Sequence, residues 1–237
     1  MDMRSIWRTL DRGTLRAIAL VCLADAIVGA SFGAITVSGG MSLWVPIVMS
    51  LAVFAGGSQF AAVGVVLAGG GPVAAVTAGL VLNARLLPFG FAILDVLDGR
   101  WWTRLVGAHV MTDESVAFAL GQHGRQQRRA AFWTCGIGLF VSWNLAVVLG
   151  ALAAGAVGDT NAFGLDAAFP VVLLALVLPS LTDRSTRRAA LLGATVAVAA
   201  TPFLPPGLPV LLALAGLVLA GRSASTVVGT DPVVGAR

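Results

Sequence analysis

The sequence predicts an all-α, polytopic integral membrane protein with broken or re-entrant helices, about six to seven spanning segments plus half-helices. Three observations predict it. First, 58% of the 237 residues are hydrophobic and 11% charged, with a mean hydropathy of +0.93; a soluble domain carries about a quarter charged residues. Second, the charges are clustered: residues 26–84, 130–158, 167–182 and 189–221 hold no Asp, Glu, Lys or Arg. About 20 such residues cross a hydrocarbon core of roughly 30 Å. Third, the apolar runs interrupt themselves with small and polar residues, most clearly in "SLAVFAGGSQFAAVGVV" at 50–66.

The elements follow in order, with charge as the guide to side. Residues 1–16 carry four arginines and form a cytoplasmic arm; 17–38 is the first span. If 44–69 were one full span, "DGRWWTR" (98–104) would face outside with its two arginines. The conflict disappears if 44–69 is a re-entrant pair turning near Gly56-Gly57, with glycines permitting the turn and Ser58 and Gln59 serving its backbone. Close helix packing through small residues is the competing use of these glycines. Residues 73–96 then span inward, and 105–121 is a polar, membrane-associated helix. Residues 130–154 span outward, three short helices occupy 168–221, and 223–237 is a cytoplasmic tail. The pI of 10.9 reflects arginines in loops that set orientation, not nucleic-acid binding. Cys22 and Cys135 lie in apolar runs, where neither a disulfide nor a metal site is expected, and no cofactor motif occurs.

Four polar features stand in apolar surroundings. Asp25 is the only charge between Arg16 and Arg85; it reads either as an ammonium partner or proton relay, or as a shallow, hydrated carboxylate. In "LVLNARLLPFG" (80–90), Asn83 and Arg85 precede Pro88, which cannot donate to the Ala84 carbonyl and so kinks a helix. Arg85 could clamp a substrate carboxylate or neutralise Asp25, Asp113 or Glu114. In 105–121, His109, Thr112 and Asp113 fall on one helical face by their i, i+3, i+4 spacing, with Glu114 beside them; a helix N-cap or a solvated cytoplasmic face is the alternative use of these residues. Last, a second half-helix starting near Ser58 would aim its free N–H groups at the membrane interior, a geometry that suits an anion.

The ordered set "GASFGAI", "SLAVFAGGSQF", "LVLNAR" and "TDESVAFAL" resembles the AzlC-type branched-chain amino acid exporters over about residues 15–155. The resemblance implies a permease subunit, not an enzyme, that exports leucine, isoleucine and valine from the cytoplasmic membrane. It also implies a small AzlD-type membrane partner. Members of that family often carry histidine after the arginine of Asn-x-Arg; this chain has Leu86, so the proton-handling role of that histidine lacks its residue here. The expected substrate-binding set is Gly56, Gly57, Ser58, Gln59, Asn83 and Arg85, with Asp25, Asp113 and Glu114 as ion-pair or relay residues. A passive channel for a small neutral solute is the alternative.

Overall fold

The computed structural model describes residues 9–156, 178–204 and positions 209, 212, 213 and 216. These residues build an all-helical membrane protein. Three stretches are long and apolar enough to cross a membrane: Arg12–Ser38, Pro72–Ala92 and Arg125–Gly155. Contacts divide the chain into two units, Met1–Phe60 with Gly79–Phe169, and Ala61–Ala78 with Pro170–Arg237.

In the first unit, helix α1 (Arg12–Ser38) begins at Asp11, whose carboxylate accepts from the Thr14 N–H at 3.0 Å. It ends where Gly40 turns to φ +90°, with Gly40 N–H on Val37 and Met41 N–H on Thr36, a paired closure that requires the left-handed region. Helix α2 (Trp44–Val53) and helix α3 (Gly56–Leu67, of which this unit holds the residues up to Phe60) follow, ten and twelve residues long. At 1.5 Å per residue each reaches only about half of a hydrocarbon core. Helix α4 (Pro72–Asn83, of which this unit holds the residues from Gly79 on) and helix α5 (Leu86–Ala92) come next, then α6 (Trp101–His109), α7 (Asp113–Leu120) and α8 (Arg125–Ala156).

The frame of this unit is the pairing of α1 with α8. "GASFG" places Gly29 and Gly33 four apart on one face of α1. A Cβ on Gly33 would overlap the Val147 carbonyl, one on Gly29 would crowd Trp143, and one on Gly150 of α8 would overlap Ala30. Backbones this close gain dispersion contact and need small residues on both sides, the usual solution where lipid removes the hydrophobic drive between helices. At the other end, arginines of α8 hold the end of α5 and the loop after it. Arg128 pairs with Asp95 at 2.9 Å and donates to the Ala92 carbonyl at 3.1 Å; Arg125 pairs with Asp98.

The structure differs from the sequence reading at two helices. The polar segment expected as one helix over 105–121 is two, α6 and α7. Thr112 is the reason: its hydroxyl accepts from the Ser115 N–H at 3.2 Å while the Ser115 hydroxyl accepts from the Thr112 N–H at 2.9 Å. This reciprocal cap starts a new helix and stops the old one. His109 and Asp113 therefore do not share a helical face. In the first re-entrant candidate, the interruption falls on Phe54 and Ala55, and Gly56 and Gly57 are already helical.

In the second unit, Val65, Ala75 and Ala78 pack with Ala61, Ala62 and Ala74. Helix α9 (Arg184–Ala200) starts at Asp183, which caps it by accepting from the Thr186 N–H at 2.7 Å. Its Gly193 lies against Ala213. Leu178–Thr182 forms a short 3-10 helix before α9; residues 168–177, most of 205–221, the N-terminal arm up to residue 8, and the tail lie outside the described residues.

Candidate functional site

Three helix interruptions in the first unit converge. The first separates α2 from α3 at Phe54-Ala55. The Gln59 amide Nε2 donates to the Met49 carbonyl at 3.2 Å. In a continuous helix these residues would be about 15 Å apart, beyond a glutamine's reach. The chain between them is therefore not one continuous helix. Gln59 is fully buried, and its Oε1 has no partner among the described residues.

The second interruption separates α4 from α5 at Ala84-Arg85. Pro88 has the consequence its missing N–H requires: the Ala84 carbonyl accepts instead from Leu87, three residues on, at 3.1 Å. That tightened turn throws Arg85 outward. The third interruption is Val110 to Thr112, between α6 and α7.

Side chains join the three. The Ser58 hydroxyl donates to Asn83 Oδ1 at 2.8 Å, and a Cβ on Gly79 of α4 would sit 3.7 Å from the Ser58 carbonyl, at ordinary contact distance. Arg85 Nη1 meets Asp113 Oδ2 at 3.0 Å. Its other terminal nitrogen, Nη2, lies 3.7 Å from where a Gly57 Cβ would sit. Asp113 Oδ1 is buried and has no partner among the described residues. Each ion thus has one atom engaged and one free. The first residues of α3 add N–H groups with no carbonyl in their own helix and the positive end of its dipole.

The acids form a sequence of neighbours. Asp25 is half-buried on α1 within electrostatic reach of Glu114, which in turn acts on Asp113. Glu114 is exposed. His109 packs its ring 5.5 Å from Phe140 and 6.3 Å from Phe54, while Ser58 is engaged by Asn83. These positions form no nucleophile and base pair. Among the described residues no group of three or more His, Cys, Asp or Glu is placed to hold a metal ion.

Three contributors escaped the sequence reading. The Ser50 hydroxyl donates to Asn144 Oδ1 at 2.7 Å, fixing α2 to α8. Trp143 lies against Gly56, so that this glycine serves close approach and not the turn itself. Asn144 and Trp143 stand together in "FVSWNLA", an uncharged run where an asparagine was the available signal.

The AzlC protein family model matches residues 20–157, more than half of the chain, and spans all three interruptions. The chain belongs to the AzlC family. That membership is consistent with a membrane transporter. Two relatives, both described as uncharacterized membrane proteins, come from Helicobacter pylori strains 26695 and J99. They are 31% and 30% identical over 97 residues, 41% of this chain and 42% of each relative. The chain thus covers less than half the length of these curated relatives. No solved structure matches this AzlC family member.

Proposed function

We propose that the protein is a secondary transporter exporting branched-chain and similar apolar amino acids (leucine, isoleucine, valine) across the cytoplasmic membrane. It acts with a small AzlD-type subunit, and both its termini are cytoplasmic. One observation carries the substrate reading: the half-used ion pair of Arg85 and Asp113. An amino-acid zwitterion has the two charges that the free atoms lack. Its carboxylate takes Arg85 Nη2 and the N–H groups opening α3; its ammonium takes Asp113 Oδ1.

The energetics favour exchange. The side chains of Arg85 and Asp113 are 57% and 38% exposed. Such a pair contributes only about 0.2–1 kcal/mol, so loosening it for a ligand costs little. Each charge-assisted hydrogen bond to the ligand returns roughly 1.5–3 kcal/mol. Asp25 and Glu114 then serve as the proton relay that couples movement to a gradient.

The test is counterflow of labelled leucine in proteoliposomes, with and without the partner and under an imposed proton gradient. Saturable, gradient-sensitive exchange is expected. Linear, unsaturated flux of small neutral solutes would instead establish the channel reading and end this one.

A further inference from the structure

Two contacts join the α5 and α6 segments: Leu97, after α5, lies against Gly107, and Met111, after α6, against Gly90. Between them lies a groove of about 540 Å³. Its apolar floor is a stripe along α5 and the turn after it, Leu87, Gly90, Phe91 and Leu94, and its far wall includes Ala108. Phe91 and Leu94 are 75% and 63% exposed.

Charge marks one end only. Arg104 lines the groove near the loop, where Gly99 and Arg100 lead into α6. The nearby arginines of α8 are engaged: Arg125 and Arg128 by Asp98 and Asp95, Arg129 by the Asp98 carbonyl. Arg104 has no carboxylate within ion-pair distance among the described residues. One turn earlier on the same face stands Trp101, stacked on Trp102, both exposed. Tryptophan pairs of this kind sit at the headgroup level of a bilayer.

We propose that this groove is a binding site for an anionic phospholipid of the leaflet that carries the basic loops. The phosphate pairs with Arg104, and one acyl chain lies along Leu87, Phe91 and Leu94 over Gly90. The missing side chain at Gly90 is what makes room: a Cβ there would have Met111 Cε as its nearest neighbour, at 4.0 Å. Charge complementarity selects the occupant. A zwitterionic lipid would fill the groove equally well but would bring its own cation to an arginine that already supplies one.

Trp101 and Trp102 report directly on the site. The protein in detergent micelles is titrated with phosphatidylglycerol or phosphatidylcholine, each brominated on its acyl chains, and tryptophan quenching is followed. Phosphatidylglycerol is expected to quench at several-fold lower concentration. Arg104→Gln should remove about a fivefold preference, Arg104→Lys should keep it, and free inorganic phosphate should not compete. Gly90→Leu should weaken quenching by both lipids while the melting temperature stays near that of the parent. Exchanging Trp101 and Trp102 for Phe identifies the signal as theirs. Equal quenching by the two lipids, or an unchanged preference in Arg104→Gln, overturns the proposal; competition by phosphate alone would assign Arg104 to a soluble anion.

Discussion

Arg85→Lys separates a ligand-binding arginine from one that only holds the fold. In the parent, Nη1 is engaged by Asp113 at 3.0 Å and Nη2 faces Gly57. A lysine keeps the charge but has one ammonium on a flexible stem, so it cannot hold Asp113 and a carboxylate in one plane. The ion pair itself is half-exposed and contributes about 0.2–1 kcal/mol, so the thermal stability should hardly change. Losing one charge-assisted hydrogen bond of roughly 1.5–3 kcal/mol should weaken leucine binding about tenfold to a hundredfold. Leucinamide lacks the carboxylate; it should bind the parent poorly and lose little more on substitution. The assay is equilibrium binding of both ligands to both proteins. If leucine and leucinamide weaken by the same factor, Arg85 is a structural charge, and the reasoning from its free nitrogen is refuted.

Three further outcomes are expected. Gly33→Leu, whose side chain would overlap the Val147 carbonyl, should destabilise the α1 and α8 pairing by about 1–3 kcal/mol or more in detergent melts. Gly155→Leu, with open space around it, should not. Gly57→Ala should transport, since its Cβ would sit at ordinary contact distance from Arg85, whereas Gly57→Leu should insert normally and fail in counterflow. The Asp98 carboxyl lies below its usual 3.8, chiefly through the hydrogen bond from Arg125. A depressed carboxylate stabilises the folded state above its unfolded pKa and loses that contribution as pH falls through the folded value. Melts taken from pH 6 down to pH 2.5 should therefore show a shallower acid limb for Asp98→Asn than for the parent.

Composition and charge clustering were enough for the membrane class, because lipid admits few ways to bury a backbone. The kink at Ala84-Arg85 was legible from Pro88, a local covalent cause. In 105–121 the sequence offers a helix N-cap as one of two readings, and the segment is still expected as one helix: Thr112 and Ser115 cap a helix, yet the same residues suit a polar face. The role of Gly56 depends on Trp143, almost ninety positions away, and no local pattern announces such a contact. Arg85 could be picked out as an expensive charge, but which of Asp25, Asp113 and Glu114 meets it depends on how α7 is aimed.

Those long-range contacts have a common support. Gly136, Phe140, Trp143, Asn144 and Val147 fall on one face of α8 by helical spacing. Gly136 admits Val110 of the third interruption; Phe140 packs 5.1 Å from Phe54 of the first and against His109; Trp143 backs Gly56. Val147 carries the α1 contact at Gly33. A helix locked to α1 by backbone approach thus aligns the broken helices along one stripe, so their free ends need not be held by their own hydrogen bonds. Asn144 tests this. Its Oδ1 accepts from Ser50, a fully buried hydroxyl, while its Nδ2 donates to Phe140 at 2.8 Å within α8. Asn144→Leu should leave the Ser50 hydroxyl unsatisfied and cost about 1–3 kcal/mol. Ser50→Ala alone should cost a similar amount, and the double variant clearly less than the sum, since both partners are then apolar. Strictly additive losses in detergent melts would mean that α2 is held by packing alone, and that the stripe on α8 does not position the break at Phe54.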